Sequence, residues 1–192
     1  MKTDAPLAGL RAVIARPAAR VALDATDLGL LRLLASDARV SQRQLAHQLG
    51  VSAPTVADRM NRLERSGVIR GYSVEVDWDA VGYGLKAYLS VTTAQGFDIG
   101  DIMRRLWDIA EVEDVALVAG RFDLLVRIRV RDEAHLRALL IDQIWTVAGL
   151  AGTETLLGMA EMPAKAFTRG LIDAITCRHL AVQSSNEEGV LP

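Results

Sequence analysis

The stretch HQLGVSAPTVADRMNRLERSG, His47 to Gly67, places Ser52, Thr55, Asp58, Arg59 and Arg62 close together. Steps of three and four residues put these side chains on one side of a helix. Short hydrogen-bonding groups near a helix start, followed by guanidinium groups, suit the major groove of duplex DNA. The short groups reach base edges, and Arg engages guanine or phosphate. A second loaded segment is AGRFD, Ala119 to Asp123. Gly120 lets backbone approach a ligand closely. An exposed carboxylate at Asp123 can pair with an ammonium group while nearby backbone groups position the rest of the ligand. The histidines His47, His135 and His179 are far apart, and Cys177 is the single cysteine. No intramolecular disulfide is possible, and no metal site, cofactor site or catalytic cluster is expected.

The elements that must position these groups are legible. Leu23 to Ser36 has Leu30, Leu31 and Leu34 on one face and Asp24 or Thr26 as a cap. Ser41 caps a short second helix with Leu45, Ala46 and Leu49 inward, and Gly50 ends it. Val51 is the buried pivot of the turn. Ser52 caps a third helix, and Pro54 falls in its first turn, where a missing N–H costs little. Val56, Met60 and Leu63 face inward, and Gly67 stops the helix. This is a helix-turn-helix. VIRGYSVEVD then alternates like a strand and would form a wing, with Arg70 near the DNA backbone.

From residue 84 the order is strand, helix, strand, strand, helix, strand. Leu85, Ala87, Leu89 and Val91 share one face of the first strand, and Leu124, Val126, Ile128 and Val130 share one face of the third. Helical stripes run through Ile102, Met103, Leu106, Ile109 and Ala110 and through Leu136, Leu139, Leu140 and Ile144. TETLLGMAEM is the fourth strand. The fold class is α+β, a winged helix-turn-helix followed by a ferredoxin-like βαββαβ domain. One sheet face lacks a cover, so it needs a partner copy. Trp78, Trp107 and Trp145 are read as core or interface fillers.

Charge supports two modules. Residues 1–72 hold 11 Lys/Arg and 6 Asp/Glu, a balance of +5. Residues 73–192 hold 11 and 18, a balance of −7. A basic half followed by an acidic half points to one module for a polyanion and another for something else. With 51% hydrophobic residues the chain is globular. No stretch reaches the roughly 20 apolar residues of a membrane helix, and a cytoplasmic location fits.

The motifs LDATDLGLLRLLASDARVSQRQLAHQLGVSAPTVADRMNRLERSGVIRGY and LVAGRFDLLVRI together resemble the Lrp/AsnC (leucine-responsive, feast/famine) family of transcription regulators, over about residues 23–162. The resemblance implies a DNA-binding homodimer that assembles to a tetramer or octamer. It implies an amino-acid effector bound where sensing domains meet. Carried over residue by residue, the DNA-binding set is Ser52, Thr55, Asp58, Arg59, Arg62 and Arg70. The effector set is Ala119, Gly120, Asp123, Thr155, Leu156 and Gly158, with Phe122 as the turn's aromatic. The expected segments are an arm over 1–22, the helix-turn-helix domain over 23–71, a linker strand or hinge over 72–83, the sensing and oligomerisation domain over 84–162, and an extension over 163–192. In that extension Phe167, Leu171 and Ile175 form an amphipathic stripe, and QSSNEEGVLP is a disordered tail.

Two other classes compete. An architectural, DNA-compacting protein would use the same DNA module without an effector. A tetrapyrrole decarboxylase-like enzyme shares the architecture, but would want a His/Arg cluster, and the scattered histidines argue against it. The chain is expected not to be an enzyme.

Overall fold

The computed structural model describes residues 20–162 and 165–188, with backbone alone over 179–188. The arm therefore lies almost wholly outside the described residues, as do residues 189–192 of the tail. In chain order the helices and strands are α1 (Ala25–Ser36), α2 (Gln42–Leu49), α3 (Ala53–Arg65), β1 (Leu85–Thr93), α4 (Ile99–Trp107), β2 (Val112–Leu117), β3 (Leu124–Val130), α5 (Glu133–Leu139), β4 (Leu150–Leu157) and α6 (Phe167–Glu188). They fall into two compact units. One spans 75–161; the other joins the described residues up to 74 with those from 162 onward.

In the helical unit, α1 opens with a reciprocal capping box. The Asp24 carboxylate accepts from the Asp27 N–H at 2.9 Å, and the Asp27 carboxylate accepts from the Asp24 N–H at 3.0 Å. Ser41 and Gln44 repeat the device at α2. Gly50, at φ +65°, ends α2 in the left-handed region that glycine adopts cheaply. Ser52 Oγ accepts the Thr55 N–H at 3.2 Å and starts α3, with Pro54 in the first turn. Leu30, Leu45, Ala46, Val56 and Leu63 form the core; Leu31, Leu34, Leu49, Val51 and Met60 pack half-buried around it. The turn between α2 and α3 is thus a folded connection with a core beneath it.

The wing strand is absent: residues 70–77 carry no strand, because a strand needs a ladder partner and none is present among the described residues. Nor is there a tail from Gln183. α6 continues to Glu188, since Gln183 to Glu188 contain neither Gly nor Pro to stop it. α6 packs on α1, with Ile172 buried and Arg32 Nε 2.8 Å from Asp173. The stripe read from the sequence, Phe167, Leu171 and Ile175, stays exposed.

The other unit is a four-stranded antiparallel sheet in the order β2-β3-β1-β4. The expected alternation holds. Ala87, Leu89, Val91, Leu124, Val126, Ile128 and Val130 are fully buried against Ile102, Met103, Leu106, Leu136, Leu139 and Ile144. The second helix passes from α5 into a π-helical turn over Leu140–Ile144. The last strand starts at Leu150 and ends at Leu157, earlier than the segment read from sequence, because β1 offers it partners from Thr93 down to Ala87. Gly149, at φ +97°, makes this entry possible; a Cβ there would lie 2.8 Å from Phe97 and Ile102. Trp78, Trp107 and Trp145 are roughly half exposed and belong to no core. Trp145 is held by its Nε1, which donates to Thr153 Oγ1 at 3.0 Å.

Candidate nucleic-acid interface and sensing turn

Among the helix-turn-helix residues singled out, Ser52, Asp58 and Arg70 are exposed and Thr55 is half-buried. Ser52 and Thr55 are also bonded to each other, Oγ to Oγ1 at 2.8 Å, so the two hydroxyls form one small polar edge at the start of α3. Arg59 and Arg62 differ from expectation. They are not a free solvent face but are bound to the start of α1. Arg59 Nη1 lies 3.0 Å from Asp27 Oδ1 and also contacts Asp24; Arg62 Nη2 contacts the other Asp27 oxygen. The reason is electrostatic. The capping box concentrates two carboxylates where α3 crosses α1, and cations on α3 neutralise them. The hydrogen bond from Arg59, then that from the Asp27 N–H, holds Asp24 down at about 2. Burial pushes Asp27 up, but bonds from Arg62, the Asp24 N–H and Arg59 outweigh it, and its pKa lies below the usual value. Both guanidinium-bearing side chains remain partly exposed, 30% and 44%.

Sequence reasoning passed over α2. Arg43, Gln44, His47 and Gln48 are exposed and line one shallow groove on that helix. Arg43 and His47 stand four residues apart, and that i, i+4 polar spacing on the helix preceding α3 was the available signal.

In the sheet unit, the turn expected to contact an effector is well tied. The Val118 N–H donates to the Asp123 carbonyl and the Asp123 N–H to the Val91 carbonyl, each at 2.9 Å. The Asp123 carboxylate is not the exposed group the sequence suggested. It is half-buried, and its Oδ2 accepts from the Thr93 N–H at 2.7 Å and from Thr93 Oγ1 at 2.9 Å. The cause is the sheet register: Val91 pairs with Leu124, which leaves Thr93 beyond the end of β3, where the carboxylate of the preceding residue reaches it. Ala119 and Gly120 are exposed, and a Cβ built on Gly120 meets no atom within 4 Å. The Arg121 guanidinium lies 4.5 Å from the Phe122 ring centroid and donates to Glu154 Oε2 at 3.0 Å. That bond brings the turn to β4, where Thr155, Leu156 and, just beyond the strand, Gly158 were expected to serve. Thr155 opposes Leu89 on the helix-covered face, Leu156 opposes Tyr88 on the open face, and the Gly158 N–H donates to the Lys86 carbonyl at 2.9 Å. The two segments expected to hold an effector therefore meet through Arg121 and Glu154, while Thr155 and Leu156 point to opposite sides of the sheet. Lys86 and the Tyr88 hydroxyl both hold Glu161, Tyr88 at 3.0 Å, and the Lys86 bond lowers the Glu161 pKa.

Comparison with known proteins places these features. Residues 23–70 match the winged helix-turn-helix DNA-binding model, and residues 86–164 match the Lrp/AsnC ligand binding domain. The transcriptional regulator LrpA of Mycobacterium tuberculosis is 37% identical over 138 residues, which is 71% of this chain and 90% of that protein. The regulator AldR of Mycolicibacterium smegmatis is 34% identical over 138 residues, 70% and 80% of the two chains. Escherichia coli AsnC superimposes with a TM-score of 0.70 at 25% identity, covering 76% of this chain and 99% of that one. An L-Met complex of a regulator from Neisseria meningitidis shares the fold, with a TM-score of 0.71 at 21% identity over 75% and 94% of the chains. The helix-turn-helix, the βαββαβ sheet unit and these relatives agree: the chain belongs to the Lrp/AsnC family of DNA-binding, oligomerising transcription regulators.

Proposed function

We propose that the chain reads duplex DNA with the N-terminal edge of α3 and changes its assembly and DNA affinity when an amino acid binds at the sensing turn. The observation that carries the first half is the exposed polar edge that follows the Gly50 turn. Ser52, Thr55 and Asp58 present short groups at the helix start, and Arg70 and the α2 groups Arg43 and His47 contact phosphate on either side. Arg59 and Arg62 hold α3 on α1 and offer their outer edges to DNA.

The effector would lie against Ala119, Gly120 and Asp123 and be closed by Thr155, Leu156 and Gly158, at a boundary between copies. The open space beyond Gly120 favours a ligand or partner there. The L-Met complex of the Neisseria relative favours an amino acid. The chain would act as a homodimer, assembling further to a tetramer or octamer, through the uncovered sheet face, where Leu125 and Leu156 are exposed. Among the described residues no helix is long and apolar enough to cross a membrane. A cytoplasmic regulator without a catalytic step is the coherent reading, because the curated relatives are transcription regulators.

The test is calorimetry against the twenty amino acids, followed by sedimentation and operator binding with any ligand found. Binding to one amino acid with a shift in oligomer mass supports the reading. Silence to all twenty, with DNA compaction retained, would replace it with the architectural one.

A further inference from the structure

One ion pair spans the two segments proposed to hold an effector. Arg121 Nη2 donates to Glu154 Oε2 at 3.0 Å, and the Arg121 guanidinium lies 4.5 Å from the Phe122 ring centroid. Both charged side chains stay open to solvent, 76% and 49% exposed. Phe122 is half-buried, and Asp123 next to it is anchored on Thr93, so the aromatic platform under the guanidinium is fixed. Glu154 opposes Ser90 on the uncovered face of the sheet, and β4 is an edge strand, so the pair stands at the rim of that face. The turn is held without it, by the Val118 and Asp123 N–H bonds and by the bonds of Asp123 to Thr93.

We propose that Arg121 and Glu154 together receive the two charged ends of a zwitterionic α-amino acid, its carboxylate on Arg121 and its ammonium on Glu154. The inference rests on the amino-acid reading above and names the side chains that carry it. Asp123, the carboxylate that the sequence offers for an ammonium, has its Oδ2 committed to two donors of Thr93. Glu154 is more open and is bonded through one oxygen; Arg121 donates through one of its N–H groups and keeps a fork for a carboxylate. The spacing also matches. In an α-amino acid the ammonium nitrogen and the nearer carboxylate oxygen lie roughly 3 Å apart, as the bond lengths and the angle at Cα require. Arg121 and Glu154 present opposite charges at 3.0 Å. A ligand laid alongside sets each of its charges against the opposite one, and the protein's own pair need not break. A plain amine or a plain carboxylate has no such match: whichever member it approaches, the other repels it. The pair therefore selects a zwitterion. Leu156, two residues along on the same side of β4, gives the ligand's side chain an apolar wall.

The test is calorimetry on the full chain with each of the twenty amino acids and, for every one that binds, with its amide and its 2-hydroxy acid. The amide lacks the carboxylate charge, and the hydroxy acid lacks the ammonium. On the parent chain both analogues should bind about tenfold to hundredfold more weakly than the amino acid. Arg121→Ala should weaken the amino acid by a similar factor and leave it no better than its amide. Glu154→Gln should do the same relative to the 2-hydroxy acid. Arg121→Lys keeps the cation and should recover part of the loss. Melting points of all three variants should stay within experimental error, because exposed pairs hold little stability. If the parent binds an amino acid and either Arg121→Ala or Glu154→Gln binds it equally well, the proposal is overturned while the amino-acid reading stands. It is overturned too if Arg121→Ala weakens the amino acid and its amide by one common factor, since the guanidinium then does not meet the carboxylate. If the parent binds none of the twenty, the amino-acid reading and this proposal fall together.

Discussion

Arg59 Nη1 lies 3.0 Å from Asp27 Oδ1, and Asp27 is the one charged side chain fully buried among the described residues. Its carboxylate is bound by two arginines from α3 and by the Asp24 N–H. The N3 residue of the α1 capping box therefore also fixes α3, the helix proposed to face DNA. Removing it strands Arg62 and leaves Arg59 with Asp24 alone. Asp27→Ala should lower the stability of the helical unit by about 2–4 kcal/mol, toward the lower part of the range for a broken buried pair because both arginines keep some solvent. Thermal melting followed by circular dichroism reads this directly; an unchanged midpoint would show that the carboxylate does not hold α3.

The same arrangement separates two ways of losing DNA affinity. Arg59→Ala and Arg62→Ala should weaken operator binding and lower the melting point together, by about 1–3 kcal/mol in affinity where a base edge is read. Asp27→Ala removes nothing from the surface proposed to face DNA and should nonetheless weaken binding, through a mispositioned α3. Asp58→Ala and Arg43→Ala should alter DNA binding with the melting point within experimental error. Arg43→Ala should also flatten the salt dependence, as expected for a lost phosphate contact. Titration at several salt concentrations beside melting curves distinguishes these outcomes.

Acid should loosen the helical unit. Asp24 is held at about 2, well under its usual 3.8, and Asp27 is lowered too. A carboxylate depressed in the folded state contributes stability above its unfolded pKa and loses it as pH falls through the folded value. The contribution should be complete near pH 5 and fall away between about pH 4 and pH 2. In an Asp24→Asn variant the acid limb of the melting-point profile should be shallower over that window. A profile identical to the parent's would refute the linkage.

Much of this was readable from residue types, and what was not has a common cause. Ser41, Gly50, Ser52 and Pro54 act locally, so their roles follow from their own chemistry. The burial of Leu124, Val126, Ile128 and Val130 follows from a two-residue period. The expectations that changed depend on groups distant in sequence. Arg59 and Arg62 meet carboxylates more than thirty residues away. Asp123 meets Thr93 across the sheet. Helical periodicity found α6, but which of its residues meets α1 depends on a surface distant in sequence: Ile172 is buried, while Phe167, Leu171 and Ile175 are exposed.

The tie between Asp123 and Thr93 changes what an Asp123 variant means. Asp123→Ala removes two hydrogen bonds to a carboxylate and should cost the sheet unit about 2–3 kcal/mol. Loss of an effector response in that variant would then have two causes. Thr93→Val separates them, because it deletes only the hydroxyl's bond and leaves the carboxylate in place. If Asp123 contacts the effector, calorimetry should show Thr93→Val binding with modestly reduced affinity and Asp123→Asn binding far more weakly. Equal losses in both would assign Asp123 a purely architectural role in the turn.

The C-terminal helix should behave as part of the helical unit. Ile172 is 8% exposed and packs in the face that meets α1, whereas Asp173 and Arg32 keep 43% and 53% of their side-chain surface in solvent. Burial outweighs the ion pair. Ile172→Ala should cost about 2 kcal/mol, at the low end for a large-to-small core change because the site lies near the surface. Asp173→Ala should cost no more than about 0.5 kcal/mol, as exposed pairs do. Deleting residues 163–192 should lower the melting point of the helical unit at least as far as Ile172→Ala does. Hydrogen exchange over α1 reads the effect locally, and protection in α1 unchanged by the deletion would show that α6 contributes nothing to this unit's stability.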